Sequence, residues 1–152
     1  MTQRLQKQYI VGFVDGEGSF HIAIYQDARM KTGIKVIPEF HISQRVSSRS
    51  VLDRMRDYFD CGYVKANHAK NKKDATYVYV VRNRDDLIGK IIPFFEQNHL
   101  QTEKKNDFDR FAIIVRMMND GMHRQKSGLR KILKLAYEMN QGGTYRKKFH
   151  SI

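Results

Sequence analysis

The 152-residue sequence contains one cysteine, two prolines and no apolar stretch long enough to cross a bilayer. A single cysteine, Cys61, excludes a disulfide within the chain and a cysteine-rich zinc module. A membrane-spanning helix needs about 20 consecutive apolar residues, so we expect no membrane partner. Residues 1–8 are too polar for a secretory signal. The sequence predicts an intracellular protein in a reducing compartment that contains nucleic acid.

Acidic residues are scarce, with 16 Asp and Glu against 28 Lys and Arg, and the net charge is +12. A basic surface of this size predicts a polyanionic partner, and nucleic acid is the first candidate. The alternative is that the charge only keeps the protein soluble. With 41% hydrophobic residues, the length suits one domain. We expect that domain at residues 1–140, followed by a glycine-rich and then basic, mobile tail at 141–152.

Glycines and acids alternate in a short stretch near the N-terminus, where residues 9–20 begin as an apolar helix and end as a strand. Gly12 and Gly16 stand four apart, which places both on one helix face and permits close approach of a second helix. Asp15 and Glu17 then stand at the negative end of the helix dipole, which is unfavourable unless a cation or hydrogen-bond donors lie near. The alternative is an ordinary helix end with solvated acids.

Periodicity along the rest of the chain predicts the order α-β-β-α-β-β-α-α-α, an α+β fold with one four-stranded antiparallel sheet. Helices should cover one sheet face, and a polar, basic and aromatic face should meet water or a ligand. Pro38 predicts an edge position or a bulge in the second strand. The fourth strand is predicted at 76–82, with Tyr77 and Tyr79 on the open face. Asn83 should cap the next helix, which Pro93 disturbs; Thr102 should start the following helix, and Ser127 should cap the last.

The nonamer at residues 10–18, Ile-Val-Gly-Phe-Val-Asp-Gly-Glu-Gly, resembles the signature of the LAGLIDADG homing endonucleases. The glycines at 12 and 18 and the acids at 15 and 17 stand where that motif places them. The chain contains one copy, and in this family a single copy implies a homodimer, because two such helices pack together to build one active centre. The resemblance also implies that the curved sheet sits as a saddle in the major groove of DNA.

Side chains suited to a DNA surface fall into two groups. Strand residues can reach base edges in the major groove; these are His21, Tyr25, Lys35, Glu39, His41, Lys65, Asn67, Tyr77 and Tyr79. Basic loop residues more naturally bind phosphates and set the register; these are Arg29, Lys31, Lys70, Lys72 and Lys73. For each residue alone, a solvated surface position is an equal alternative. No histidine has a neighbour at the spacing of a histidine-centred nuclease.

Glu17 is the predicted catalytic carboxylate. Phosphodiester hydrolysis needs a hard divalent cation, and Mg²⁺ binds carboxylate oxygen while keeping several waters. Mg²⁺ is therefore the expected cofactor, with Ca²⁺ or Mn²⁺ able to substitute for binding, and no small-molecule cofactor is expected. Two Glu17 carboxylates, brought together where Gly12 and Gly16 meet their copies, would share the metal site.

The family resemblance implies roles for further residues. It implies that Glu17 and the main-chain carbonyl of Gly16 hold the metal and that Asp15 has a structural role, bonding to the helix ends of the dimer. Gln44 matches a polar residue near the attacking water. Lys104 matches the basic residue there, and Lys105 is the alternative because Glu103 interrupts the usual pattern.

These observations lead to one principal function and two alternatives. The principal hypothesis is a homodimeric endonuclease that cuts both strands of a long, pseudo-palindromic DNA site, as mobile introns encode. One alternative keeps the fold without cleavage, as an RNA maturase or a DNA-binding regulator. The other is an unrelated basic RNA-binding protein, which would bind without sequence preference. The family implies an organelle, chloroplast or mitochondrion, or the cytoplasm of a bacterium.

Overall fold

A computed structural model describes residues 3–67 and 75–140, and these form an α+β fold with the predicted order of elements. The principal helices and strands are α1 Lys7–Glu17, β1 Gly18–Gln26, β2 Ile34–Arg45, α2 Arg49–Phe59, β3 Tyr63–Asn67, β4 Thr76–Val81, α3 Arg84–Asp86, α4 Ile92–Gln97, α5 Lys104–Asn119 and α6 Lys126–Tyr137. Short 3₁₀ turns at Val46–Ser48 and Met122–Arg124 precede α2 and α6. The predicted fold class is confirmed.

The four strands form one antiparallel sheet in the order β1-β2-β4-β3. Helices cover one face, and the core lies between that face and the helices. Phe20 lies at its centre, with ring centroids 5.2 Å from Phe40, 5.6 Å from Phe95 and 5.3 Å from Phe111. This aromatic cluster joins β1, β2, α4 and α5, and so it fixes the strand that follows the glycine motif against the helical layer.

Pro38 lies in β2, an interior strand, but in a part of it that has no β4 partner, so the predicted edge position is found locally. The residues of β2 pair with β1 without interruption, from Ile34 opposite Gln26 to Ile42 opposite Gly18, so there is no bulge. Pairing of β2 with β4 begins only at Phe40. Pro38 therefore occupies the part of β2 that has β1 on one side alone, where its missing N–H removes no bond to β4.

The side chains of β4 face the opposite way from the sequence-based expectation. Tyr79 pairs with Ile42, shares its core face and is 0% exposed, and Tyr77 lies on the same face opposite Gln44. The assignment of Tyr77 and Tyr79 to the open face is therefore wrong. Burial is favoured because the Tyr79 hydroxyl donates to the carbonyl of Cys61 at 2.9 Å, which satisfies the one polar atom of the ring. Val78 and Val80 take the open face instead.

The helical residues from Arg84 to Gln97 contain the disturbance that Pro93 predicts. Asn83 caps the start, its side-chain oxygen accepting from the Asp86 amide at 3.1 Å, as expected. Residues Leu87–Ile91 form a π-helical segment immediately before α4, which has Pro93 in its first turn. A proline has no N–H to bond to the preceding turn, so a local change of helical pitch is the natural accommodation.

The last two helices start within two residues of the predicted positions. The helix α5 begins at Lys104, after a turn that contains Thr102, and α6 begins at Lys126 with Gln125, not Ser127, as its cap. The predicted tail at 141–152 lies outside the described residues, so its mobility and the proposed domain limits stay predictions. Across 3–67 and 75–140, every helix is too short or too polar to cross a membrane.

Candidate active site and nucleic-acid interface

The helix α1 has two faces with different partners. Ile10 and Val14 are 0% exposed and point into the core. The opposite stripe, at spacings of three and four, is Tyr9, Gly12, Phe13 and Gly16. Both glycines are exposed, and a methyl group added to either would meet no described atom within 4 Å apart from its own helix. Tyr9 is 47% exposed and its ring contacts Phe13 at 5.8 Å. In the part of the chain that the structure describes, Tyr9 and the two glycines of this notched aromatic stripe are exposed, and Phe13 is half-buried.

Gly18 ends α1 and begins β1 without a connecting loop. Its amide donates to the Val14 carbonyl and caps the helix. A Cβ on this residue would lie 2.7 Å from Val14 Cγ1 and 2.9 Å from Val14 O, so only glycine fits without a shift. This close turn places Glu17 at the junction between helix and sheet.

Asp15 is held by the segment that precedes α5. Its Oδ2 accepts from the Gln101 amide at 2.8 Å, and its Oδ1 accepts from the Thr102 amide and hydroxyl at 3.2 and 2.8 Å. Burial alone would raise the pKa of Asp15, but these bonds outweigh it and hold that pKa below its ordinary value. Asp15 was expected to bond to the helix ends of the dimer; the bonds described lie within one chain, and its contacts in a dimer stay a prediction. The bonds within the chain supply the donors that an acid at a helix C-terminus requires.

Lys104 supplies the missing cation at the end of α1. Its Nζ donates to the carbonyl oxygens of Val14 at 2.9 Å and Asp15 at 3.0 Å. Burial lowers the pKa of this amine, and the charges of Asp15 and Glu17 oppose that effect only in part. Lys105, the alternative basic residue, instead pairs with Asp109 on the surface of α5 at 2.9 Å. The geometry therefore places Lys104, and not Lys105, beside the glycine motif.

Glu17 lies beside this lysine with an exposed carboxylate that makes no hydrogen bond or ion pair within the described residues. Gln44 is two residues beyond Ile42, the partner of Gly18, so it lies at the same end of the sheet. Within residues 3–67 and 75–140, no three acidic, histidine or cysteine side chains come together as a metal site. An unengaged carboxylate with main-chain oxygen nearby suits a hard divalent cation, yet one chain supplies only one such carboxylate.

The open face of the sheet contains most of the predicted strand residues. His21 and Tyr25 of β1, Lys35, Glu39 and His41 of β2, and Lys65 and Asn67 of β3 all alternate with core residues and face away from the helices. Arg29 and Lys31 are exposed in the loop between β1 and β2. Arg29 pairs there with Asp27 at 2.8 Å. Lys70, Lys72 and Lys73 lie outside the described residues. The DNA contacts themselves stay predictions.

Two open-face residues were not among the DNA contacts predicted from the sequence. Tyr63 is 41% exposed and lies under the Lys65 amine, which is 5.9 Å from its ring centroid. Arg82 follows Val81 and contacts Glu39. Both would have followed from the sequence if β4 had been phased with Tyr79 inward. The alternation then continues from Val78 and Val80 to Arg82, and the pairing of Tyr63 with Val80 brings Tyr63 to the same face.

Comparison with known proteins gives a consistent family. Residues 10–115 match the model of the LAGLIDADG endonuclease family. A probable intron-encoded endonuclease of Neurospora crassa is 34% identical over 151 residues, which are 97% of this chain and 32% of that protein. The chain thus spans about a third of that relative's length.

Two solved structures share the fold. The crystal structure of the homing endonuclease I-TnaI superimposes with a TM-score of 0.87 and 42% identity, over 96% of this chain and 95% of that one. I-SmaMI bound to an uncleaved DNA target in the presence of calcium ions superimposes with a TM-score of 0.88 and 27% identity, over 95% of this chain and 48% of that one. The first matches one copy of this chain in length, whereas the second is about twice as long.

Proposed function

Since the chain belongs to the LAGLIDADG endonuclease family, we propose that it is a homing endonuclease that makes a double-strand break in DNA as a homodimer. The observation that carries the proposal is the exposed carboxylate of Glu17, which has no partner within the described residues, at the end of a helix whose two notch glycines are exposed. The name of the Neurospora relative, an intron-encoded endonuclease, supports the same activity. We retain an organelle or the cytoplasm of a bacterium as the predicted location.

The homodimer is supported by the two faces of α1. An exposed stripe with two glycines four residues apart allows a second helix to approach closely, and Tyr9 and Phe13 provide apolar surface to bury. A twofold contact of this stripe with its copy is isologous and places both helix ends at one point. The two Glu17 carboxylates then face the same DNA segment, which supplies the second acid that one chain lacks.

The DNA partner is supported by charge and shape. A net charge of +12 on each copy attracts a polyanion, and a dimer doubles it. The open face of β1 and β2 presents histidine, tyrosine and lysine side chains on an antiparallel ribbon, which is a shape that fits the major groove. I-SmaMI, which shares the fold, was crystallised on its DNA target.

The residues around Glu17 have separable roles in the proposed reaction. Glu17 and the Gly16 carbonyl would hold a divalent cation, for which we propose Mg²⁺; a bound cation of this kind activates water and stabilises the leaving oxygen. Lys104 fixes the end of α1 through two carbonyls and adds positive charge where phosphate would lie. Asp15 ties the same point to the start of α5. Gln44 stands at this end of the sheet and would orient water.

The test replaces the carboxylate without changing its shape. Glu17→Gln should bind the selected DNA site with an unchanged dissociation constant in Ca²⁺ and should not cut it in Mg²⁺. Glu103→Gln is the matched control, because Glu103 is an exposed acid outside the motif, and it should cut at the wild-type rate. Linearisation of a supercoiled plasmid in Mg²⁺ and in EDTA is the readout. Full cleavage by Glu17→Gln would refute the assignment, and absence of cleavage by the wild type would favour a binding protein of the same fold.

A further inference from the structure

Glu39 is a buried carboxylate on the sheet face that the helices leave open. Its exposed fraction is 4%, the lowest of any charged side chain that the structure describes. Glu39 Oε1 lies 2.6 Å from Arg82 Nε, and Glu39 Oε2 lies 2.7 Å from His41 Nε2. Burial would raise the pKa of Glu39, but contact with His41 and the charges of Arg82 and His21 outweigh it and hold that pKa below its ordinary value. Glu39 therefore stays ionised.

The sheet register explains why these residues meet. His21 of β1 pairs with Glu39 of β2, and Phe40 pairs with Val81, the last residue of β4, so Arg82 directly after it lies beside Glu39. The three side chains form one row across the open face. With Glu39 beneath its neighbours, a base edge cannot reach the carboxylate. Glu39 was predicted to contact DNA, and this geometry gives it a different task.

Arg82 keeps its outer nitrogens available. Its side chain is 44% exposed and its nearest approach to Glu39 is through Nε, and within the described residues neither terminal nitrogen makes a hydrogen bond. Arg116 shows the contrast, since both of its terminal nitrogens bond to Glu96 at 2.9 and 2.7 Å. A guanidinium held at Nε presents its two outer N–H groups as a fixed fork, and this fork matches O6 and N7 of guanine in the major groove.

The location favours a base over a phosphate. Arg82 belongs to the row on the open sheet face and not to a loop, and its charge is already balanced by Glu39, so it adds little to attraction for the backbone. His21 follows Glu17 by four residues of β1, which is roughly 13 Å along an extended strand. The row therefore lies a few base pairs from the scissile phosphates.

We propose that Arg82 reads one guanine in each half of the DNA site and that Glu39 is the positioning residue that aims it. This inference rests on the proposed function, because it needs DNA on the open sheet face. Arg82 was absent from the sequence-predicted contacts, and Glu39 acts through Arg82 and His41 without touching the base.

The first test distinguishes the paired N–H donors of Arg82 from its positive charge, which a lysine keeps. After the wild-type site is selected from a random library, each position is varied and binding is measured in Ca²⁺. Arg82→Lys should lose a preference for G·C of about 5- to 150-fold at one position per half-site, the discrimination of a bidentate pair. All other positions should keep their preferences. Arg116→Lys is the matched control, the same change at an exposed arginine of α5 that is already paired with Glu96, and should leave every base preference unchanged.

The second test assigns the positioning role. Glu39→Gln keeps the side-chain shape and loosens the hold on Arg82, so it should relax the same position, and the double variant with Arg82→Lys should lose no more than either alone. A merely structural Glu39 would weaken binding at all sequences equally and would add to Arg82→Lys. An unchanged profile in Arg82→Lys overturns the inference while leaving the endonuclease proposal intact; if the wild type selects no site, the endonuclease proposal itself fails.

Discussion

The exposed glycine notch of α1 gives the sharpest test of the homodimer. The change is Gly16→Ala, alone and with Gly12→Ala. In the single chain the added methyl group meets no described atom within 4 Å beyond its own helix, so nothing resists it. Alanine replaces glycine in an exposed helix interior with a gain of roughly 0.5–1 kcal/mol. The monomer should therefore become slightly more stable.

The dimer should respond in the opposite direction. Each methyl group occurs twice in a twofold contact, and an added methylene in a packed interface costs about 1–3 kcal/mol. For Gly16→Ala the total is about 2–6 kcal/mol, which weakens dimerisation by roughly 30- to 10⁴-fold. Opposite signs for folding and assembly distinguish a helix contact from a general defect.

Two other glycines serve as controls. Gly89 is exposed in a different helical segment, and a Cβ there also meets no described atom within 4 Å. Gly89→Ala should leave dimerisation unchanged. Gly18→Ala should destabilise the fold itself, because its Cβ would lie 2.7 Å from Val14 Cγ1. Sedimentation equilibrium gives the dimer dissociation constant, and urea unfolding at a concentration where monomer dominates gives the stability.

A dimer contact through the glycine face of α1 is refuted if Gly16→Ala dimerises as tightly as the wild type and still cuts both strands. A second failure is a loss of monomer stability in Gly16→Ala that matches the loss in Gly18→Ala. Either result would mean that α1 packs within its own chain at this face, or that the copies meet elsewhere.

Three further predictions concern the support of the site. Lys104→Met should lower the single-turnover cleavage rate by about 10²- to 10⁴-fold, whereas Lys105→Met should not change it, and equal losses would reject the choice of lysine. In the folded protein the pKa of Asp15 lies below its ordinary value of 3.8. The stability that the ionised carboxylate adds is complete above pH 3.8 and is lost as the pH falls through the lowered pKa. Urea unfolding of wild type and Asp15→Asn should therefore differ more at pH 6 than at pH 2.5, and an equal difference would contradict the bonding described. Tyr79→Phe should cost about 1–3 kcal/mol of unfolding free energy, since it leaves the partly buried Cys61 carbonyl without its donor; a neutral result would show that water replaces the hydroxyl.

The glycine motif and the order of elements followed from the sequence because they depend on local patterns. Gly12 and Gly16 define a helix face by spacing alone, and Gly18 ends the helix where the strand alternation begins. The phase of β4 did not follow, because Tyr77, Val78, Tyr79 and Val80 are apolar at every position. Alternation then gives two faces without saying which is covered. The hydroxyl partner of Tyr79 is a main-chain carbonyl 18 residues away, which no local pattern shows.

The sequence predicted the residues of the candidate site better than it predicted the contacts between them. Glu17 and Lys104 came from the motif and its resemblance, and the structure places both at the end of α1. Asp15 was expected to bond to the helix ends of the dimer, and its contact with Gln101, 86 residues away in the same chain, was not predicted. Arg82 was missed because placing Tyr77 and Tyr79 on the open face put Arg82 on the covered face, and its significance depends on a residue in another strand.

The hydrogen bonds of Asp15 and Lys104 at the end of α1 have a consequence for the proposed homodimer. Each chain fixes the tip of α1 with its own residues, so in the proposed homodimer little ordering entropy would be spent at this tip on association. In that homodimer, a copy lacking Glu17 would still pair with an active copy through α1 and would leave their shared metal site with one carboxylate. An excess of such copies should therefore suppress cleavage by the active ones.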